Sequence, residues 1–436
     1  MSSQSLGETV TTTSVAESAR RRIARRLLPY LFFLYIIAYL DRVNLSYASL
    51  EMSGALGFTA EIIGFGAGIF FIGYFLLEIP GAILVERWSA RAWIARIMIS
   101  WGIVAMLTGF VHTAHQFYTI RFLLGASEAG FFPGIVVYLS HWFRYEDRAK
   151  AMAMFMAAQS ISNIIGSPVS GLLLGINWLG LAGWRWLFIL EGIPAVLFGI
   201  VTIFYLTDRP HQAKWLLEDE KQWISTELEQ EKKAKETVRS YSVWDALRQP
   251  EVILLSLALF FMAGAVYGFN FWLPTIIKKL SGHSNLFVTT VSALPYCIGL
   301  IATLLVGWSS DRTKERRWHA ALCMIIASLG LGLSVISHRT DLAVLMFCLA
   351  AVGMYGYLSA FWSLPSSFLT GTAAAASIGL INSVGNLGGF FGPYAVGYIS
   401  KKTHGFTTGV LCLSASALMA GVLVLLLRRS KPEAKT

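Results

Sequence analysis

Twelve apolar segments, each long enough to cross a lipid bilayer, constrain the fold of this chain more than any other feature of its sequence. A transmembrane helix needs about 20 mostly apolar residues. The composition agrees, because 55% of the 436 residues are hydrophobic and 14% are charged, against about 25% charged in soluble domains. The pattern predicts an all-α membrane protein with twelve transmembrane helices at about 27–49, 61–84, 93–111, 116–142, 149–175, 184–206, 250–277, 286–309, 318–337, 341–364, 374–399 and 406–428.

The basic residues are distributed unevenly between the loops that join these segments. With the N-terminus assigned to the cytoplasm, 27 of the 35 Lys and Arg residues fall on the cytoplasmic side and 6 on the opposite side. Such an excess is typical of cytoplasmic loops in membrane proteins. It predicts that both termini are cytoplasmic, and it explains the net charge of +10 without a nucleic-acid partner.

A polar stretch divides the twelve segments into two groups of six. Glu229 and Lys233 within it are four residues apart, a spacing that stabilises a helix. We therefore predict a cytoplasmic N-terminal tail (1–26), an N-terminal six-helix bundle (27–206), a cytoplasmic linker (207–249), a C-terminal six-helix bundle (250–428) and a cytoplasmic tail (429–436).

Short motifs recur at matching distances in the two groups. Gly81-x4-Glu86-Arg87 follows the second segment and Gly307-x3-Asp311-Arg312 follows the eighth, and their first glycines are 226 residues apart. Pro168 in the fifth segment and Pro393 in the eleventh are 225 residues apart, both in Gly-rich surroundings. The matching distances indicate a tandem repeat and two pseudo-symmetric bundles. Chance matching is the alternative, because Gly and Pro are common in membrane helices.

Five ionisable residues interrupt apolar segments: Asp41, Arg42, Glu78, Arg121 and Glu128. Of these, Glu78 is expected to pair with basic residues of the loop that follows its segment. A charged side chain at bilayer depth costs at least ~2.5–3.5 kcal/mol on insertion scales, so it normally faces a partner or a water-filled path. Asp41 lies about 21 Å from the cytoplasmic start of its segment and Glu128 about 20 Å from the cytoplasmic end of its own. Asp41 and Glu128 are thus expected at similar depth, and Arg121 is expected two turns from Glu128 on the same helix face.

The two arginines are candidates for a carboxylate clamp. A guanidinium group matches a carboxylate with two parallel hydrogen bonds and keeps its charge when buried. Asp41 and Glu128 are candidates for proton coupling, because an anion on the arginines changes the field at both acids. The alternative is a structural ion pair, Arg42 with Glu128 or Arg121 with Asp41.

Several longer motifs resemble the major facilitator superfamily. The stretch GAILVERWSAR (81–91) resembles the family signature, with Glu86 in place of the usual Asp, and GWSSDRTKERR (307–317) resembles its second copy. The stretches YLDRVNLSYA (39–48), RFLLGASEAGFFPG (121–134) and ILEGIPA (189–195) are similar to the anion:cation symporter branch. That branch includes bacterial permeases for tartrate, galactonate, phthalate and hydroxyphenylacetate.

The resemblance implies roles for particular residues. It implies that Arg42 and Arg121 bind substrate, that Asp41 and Glu128 couple protons, and that the cytoplasmic gate contains Glu86, Arg87, Asp311 and Arg312. It further implies substrate contacts from Tyr39, Tyr74, Gln159 and Asn386. In the second half Asn270, Trp272, Tyr355 and Trp362 could line the cavity, although packing is the preferred interpretation for these four.

Together these features predict a secondary active transporter that imports a small organic anion by proton symport with alternating access. A hydroxylated carboxylate such as tartrate or a sugar acid is expected, in the inner membrane of a bacterium. An exchanger, a potential-driven facilitator and an aromatic-acid permease remain alternatives. No enzyme activity, cofactor or metal site is expected, because the four cysteines form no CxxC pair and no histidine–acid cluster appears.

Overall fold

A computed structural model describes residues 3–87, 89–236, 249–337, 339–365 and 371–427, and within these ranges the long elements are α-helices. The first half contains α1 (Ser3–Leu56), α2 (Ala60–Arg87), α3 (Ala90–Thr108), α4 (Ala114–Glu128), α5 (Phe131–Ser140), α6 (Tyr145–Leu174) and α7 (Gly183–Tyr205). Helix α8 (Glu218–Glu236) follows. The second half contains α9 (Pro250–Ser281), α10 (Asn285–Thr313), α11 (Arg316–Ile336), α12 (Thr340–Trp362), α13 (Gly371–Thr403) and α14 (Thr407–Leu425).

The helices fall at the predicted membrane segments. Ten of the described spans are long and apolar enough to cross a bilayer, with α4 and α5 together forming one of them. The other two, α6 and α13, have 30 and 33 residues and pack among those ten. The prediction of an all-α membrane protein is therefore confirmed. The predicted linker helix is also confirmed, as α8, in which Lys233 pairs with Glu229 at 3.1 Å.

The same pattern of helix packing recurs in both halves. In the first half α1 packs against α6, α2 against α4, and α3 against α7. In the second half the corresponding pairs are α9 with α13, α10 with α12, and α11 with α14. The halves meet where α6 packs against α10 and α2 against α13, which are again corresponding pairs. This arrangement fits the parallel repeat inferred from the motif distances.

Two ends of the bundle can be distinguished. We call the end that carries Arg20–Arg26 and α8 the basic end, and the end that carries Leu56 and Ala60 the far end. Two polar contacts join the halves at the far end, where the Lys401 Nζ is 2.6 Å from the Glu61 carboxylate and Asn285 donates to Glu51 at 2.8 Å. A Cβ on Gly397 would lie 2.4 Å from the Ala60 carbonyl oxygen, so glycine permits this approach.

The fourth span differs from its predicted form, a continuous helix over 116–142. It is broken after Glu128, because Ala129 leaves the helical region, with φ −55° and ψ 134°, and Gly130 has a φ of 86°. A left-handed backbone suits glycine, which has no Cβ to clash with the chain. The break places Glu128 at the C-terminal end of α4.

The predicted boundary between tail and first span, at residue 27, is not marked by a break in the chain. Helix α1 continues from Ser3 through the basic cluster to Leu56. We call the part of α1 before residue 27 the α1 extension. It packs against α8, and the Ser18 hydroxyl donates to Glu220 at 2.7 Å. The extension and the linker helix thus form one layer at the basic end.

Candidate functional site

A small cavity of about 50 Å³ lies between the halves in the middle of the bundle. Three of the predicted site residues, Tyr39, Arg42 and Arg121, line it. The remaining wall comes from both halves, and its members are Val43, Ser46, Ala67, Phe70, Phe71, Tyr267, Asn270, Phe271 and Pro393. The cavity therefore combines two cations with aromatic rings and a few hydrogen-bonding groups.

Arg42, which lines the cavity, forms an ion pair with Glu128. The guanidinium carbon also lies 5.5 Å from the ring centroids of Tyr39 and Tyr74 and 5.7 Å from that of Phe70. Cations are stabilised over aromatic faces at such distances. Arg42 is thus held by one carboxylate and three rings, and its Nε is buried without a hydrogen-bond partner among the described residues.

Arg121 approaches the same Phe70 ring from α4. Its guanidinium carbon is 5.1 Å from the ring centroid, and its Nε donates to the Gly66 carbonyl at 3.2 Å. The side chain is 3% exposed, and its buried Nη1 has no acceptor among the described residues. The Nη1–H of Arg121 can therefore donate a hydrogen bond to an oxygen atom of a ligand.

Asp41 is buried beside these groups but forms no ion pair within the described part of the chain. Its carboxylate accepts a hydrogen bond from Asn44 at 2.8 Å. Of the two structural ion pairs considered from the sequence, Arg42 with Glu128 is formed. The pair of Arg121 with Asp41 is not found among the described contacts.

The predicted polar neighbours are only partly brought together. Tyr39 and Tyr74 flank Arg42. Gln159 on α6 and Asn386 on α13 are half-buried and do not line the cavity. One turn before Asn386, Asn382 lies 3.5 Å from the Glu78 carboxylate across the interface between the halves.

Sequence reasoning undervalued the contribution of the second half. Asn270, which packing was expected to explain, lines the cavity and accepts a hydrogen bond from the Tyr355 hydroxyl at 3.1 Å. Tyr267 also lines the cavity, and no role is predicted for it from the sequence. Trp272 fits the packing interpretation, because its Nε1 donates to the Pro393 carbonyl at 2.9 Å. A helix face shared by Tyr267 and Asn270, three residues apart, was the available signal.

Two of the predicted gate residues, Asp311 and Arg312, do not line the cavity. Asp311 pairs with Arg316 at 2.6 Å, and the Arg312 guanidinium lies 5.4 Å from the Trp308 ring centroid. Both interactions stay within the second half. The side chains of Glu86 and Arg87 lie outside the described residues.

Repeated six-helix halves around a central, charged cavity define a multi-pass membrane transporter. The chain belongs to the Major Facilitator Superfamily, whose family model matches residues 31–393. Members of this family and the relatives below are transporters and not enzymes.

The similar proteins are transporters of the same size. A protein from Agrobacterium vitis named "Putative tartrate transporter" is 43% identical, covering 98% of this chain and 94% of its own. A "Quinolone resistance transporter" from Acinetobacter baumannii is 37% identical, covering 95% of this chain and 96% of its own. A crystal structure of a bacterial homologue of the human lysosomal transporter Spinster, inward-facing and unoccupied, has a TM-score of 0.74 at 17% identity, covering 94% of this chain and 95% of that one.

Proposed function

We propose that the protein imports a small hydroxylated carboxylate, such as tartrate or a sugar acid, by proton symport with alternating access. The observation that carries this proposal is the pair of buried arginines beside one cavity. Arg42 is neutralised by Glu128, whereas Arg121 has a buried Nη1 for which the described part of the chain provides no acceptor. The relative named for tartrate supports a carboxylate as substrate.

The charge balance provides a route to coupling. A substrate carboxylate that binds Arg121 and Arg42 competes with Glu128 for the Arg42 guanidinium. A buried carboxylate that loses its ion pair is costly in a low-dielectric site. Protonation of Glu128 removes that cost, so anion and proton bind together. Asp41, held by Asn44, is the second candidate proton carrier.

Hydroxyl groups on the substrate have partners in the same cavity. Tyr39 and Asn270 face it from opposite halves. Because the cavity holds only about 50 Å³, a sugar acid requires the halves to separate. Tyr74, Gln159 and Asn386 are proposed to contact the substrate after that opening.

Alternating access is supported by polar contacts between the halves that must break before the far end can open. The contacts of Glu61 with Lys401 and of Glu51 with Asn285 close the far end. We propose that the basic end faces the cytoplasm of a bacterium, with the protein in the inner membrane. The motifs with Glu86, Arg87, Asp311 and Arg312 would then close that end in the outward-facing state.

A second candidate substrate class is an aromatic acid. The cavity wall contains Phe70, Phe71, Tyr267 and Phe271, which suit a planar ring. The relative named for quinolone resistance supports this reading, because a quinolone combines an aromatic system with a carboxylate. Exchange and potential-driven transport are the alternatives to proton symport.

The test is uptake into proteoliposomes with an imposed inward proton gradient. The panel contains tartrate, galactonate, glucuronate, phthalate, hydroxyphenylacetate and a fluoroquinolone. Symport predicts accumulation of at least one hydroxylated acid, together with alkalinisation of the medium that depends on that acid. A neutral sugar alcohol of the same size is the matched control.

Three outcomes would contradict the proposal. Uptake that ignores the proton gradient but increases with substrate loaded inside would indicate exchange. Uptake driven by an imposed electrical potential alone would indicate a facilitator. Selective transport of phthalate, hydroxyphenylacetate or the quinolone would replace the hydroxylated acid with an aromatic one.

A further inference from the structure

A much larger cavity, of about 650 Å³, lies at the basic end. It is bounded by the extension of α1, the end of α7 and the segment before α8. Its lining includes Arg21, Arg22, Arg25, Arg26, Tyr205 and Trp215. No step of the proposed transport cycle uses this cavity.

The lining carries an excess of positive charge. Four arginines face one acid, Glu17. Arg22 lies 3.5 Å from the Glu220 carboxylate, but Arg21 and Arg25 form no ion pair with a described residue. A concave site with several cations and few acids attracts an anion.

Two buried donors in the same lining have no acceptor. The Arg26 guanidinium is placed between aromatic rings, 4.6 Å from the Tyr205 centroid and 5.0 Å from the Trp215 centroid. The Arg26 Nε and the Trp215 Nε1 are both buried without a hydrogen-bond partner among the described residues. Buried polar groups are normally satisfied, so two unsatisfied N–H groups on one cavity indicate a missing acceptor.

We propose that this cavity binds the phosphate group of an anionic membrane phospholipid. Phosphate oxygens accept strong hydrogen bonds from guanidinium and indole N–H groups. Tyr205 is the last residue of α7, which places the cavity where the spans leave the bilayer. Trp and Tyr are enriched at that level, and basic pockets beside spans bind anionic headgroups. The lipid would join the α1 extension to α7 and the linker.

A soluble phosphate ester shares the recognition chemistry, so the experiment separates the two sources. The full-length protein is purified and its thermal unfolding is measured in phosphatidylcholine nanodiscs with and without phosphatidylglycerol. Lipids that remain bound are counted by native mass spectrometry. A parallel series in phosphatidylcholine contains glycerol 3-phosphate or inorganic phosphate instead.

The test variant is Arg26→Gln with Trp215→Phe. It replaces the charged guanidinium with a neutral amide, removes the indole N–H and keeps an aromatic ring. We expect the preference for phosphatidylglycerol over phosphatidylcholine to fall roughly tenfold in the variant, because charge-assisted hydrogen bonds are lost. Arg339→Gln is the matched control, since Arg339 is an exposed arginine paired with Asp341. It should keep the preference of the wild type.

Other results would overturn the proposal. An equal preference for phosphatidylglycerol in wild type and double variant would mean that lipid binds elsewhere. Stabilisation by glycerol 3-phosphate or phosphate that matches that of the lipid would assign the cavity to a soluble anion. If the double variant unfolds early in phosphatidylcholine, Trp215→Phe alone replaces it, with a smaller expected loss of preference.

Discussion

The Arg42 guanidinium forms an ion pair with the Glu128 carboxylate, joining the middle of α1 to the last residue of α4. The pair lies beside Gly130, where the fourth span is broken. We regard this pair as the element that exchanges a carboxylate of the protein for one of the substrate.

Glu128→Gln should uncouple transport from protons. The amide cannot carry a proton through the cycle, but it leaves Arg42 available to the substrate. We expect loss of gradient-driven accumulation in proteoliposomes and retention of substrate exchange. Glu229→Gln, which alters an exposed acid of α8 paired with Lys233, should keep both activities. Normal accumulation by Glu128→Gln would exclude this acid as a proton carrier.

Arg121→Lys should weaken substrate binding while leaving the fold intact. Lysine keeps the charge but not the planar pair of donors, and the loss of a hydrogen bond to a charged group costs about 1.5–3 kcal/mol. We expect KM to rise roughly 10- to 100-fold. The matched control is Arg185→Lys, because Arg185 also bonds a backbone carbonyl, that of Gly109, and lies 4.3 Å from the Trp184 ring. Equal effects of the two substitutions would argue against a binding role for Arg121.

The sequence was sufficient to predict the helices and the buried charges, for a physical reason. Apolar segments of bilayer length and basic loops are local properties of the chain, and an ionisable residue inside such a segment is visible directly. Which partners these residues choose depends on packing between distant helices. Both Arg42 with Glu128 and Arg121 with Asp41 are possible from the sequence, and among the described contacts the first pair is formed and the second is not found.

The contribution of the second half was harder to predict. Asn270 and Tyr267 lie on α9 in an apolar segment rich in aromatic residues, where most polar groups only join helices. Their position beside Arg42 and Arg121 follows from the close approach of the two halves, which no local pattern encodes. Gln159 and Asn386 are predicted from the sequence to contact the substrate, but neither residue lines the cavity. Their proposed role requires a more open state.

A cross-link between residues 61 and 401 should stop the transport cycle. The Glu61 and Lys401 side chains pair across the halves at the far end, and transport by alternating access requires this end to open. We expect Glu61→Cys with Lys401→Cys, in a background without the four native cysteines, to lose uptake when treated with a short bis-thiosulfonate linker. Uptake should return after reduction. Each single cysteine variant is the control, and full activity of the linked protein would refute closure at this site.

Gly125→Ala should destabilise the first half. A Cβ at Gly125 would lie 1.9 Å from the Phe70 carbonyl oxygen, so the contact between α2 and α4 must separate. Overpacking of this kind costs about 1–3 kcal/mol. Gly54→Ala is the matched control, because a Cβ there meets nothing within 4 Å. We expect a lower unfolding temperature in detergent for Gly125→Ala alone, and equal unfolding temperatures for the two variants would contradict the packing of these helices.

His141 should not contribute to the pH dependence of transport. It follows Ser140, the last residue of α5. Burial, followed by repulsion from Arg209, lowers the pKa of His141 to about 4, from an ordinary value of about 6.5. The folded protein therefore keeps this ring neutral at the pH values used for uptake. We expect His141→Gln to leave the pH profile of substrate uptake unchanged.

The same lowered pKa has a consequence for acid stability. Between about pH 6.5 and the folded pKa of about 4, the unfolded chain binds a proton that the folded protein does not, so stability decreases as the pH falls through this window. Below that window both states are protonated and the contribution becomes constant. We expect the wild type to lose more thermal stability than His141→Gln between about pH 7 and pH 4, as measured by unfolding at a series of pH values in the same detergent. A different result would be a shifted pH profile of uptake in His141→Gln without this difference in acid stability. That result would place His141 in the proton pathway and would argue against Glu128 and Asp41 as the proton carriers.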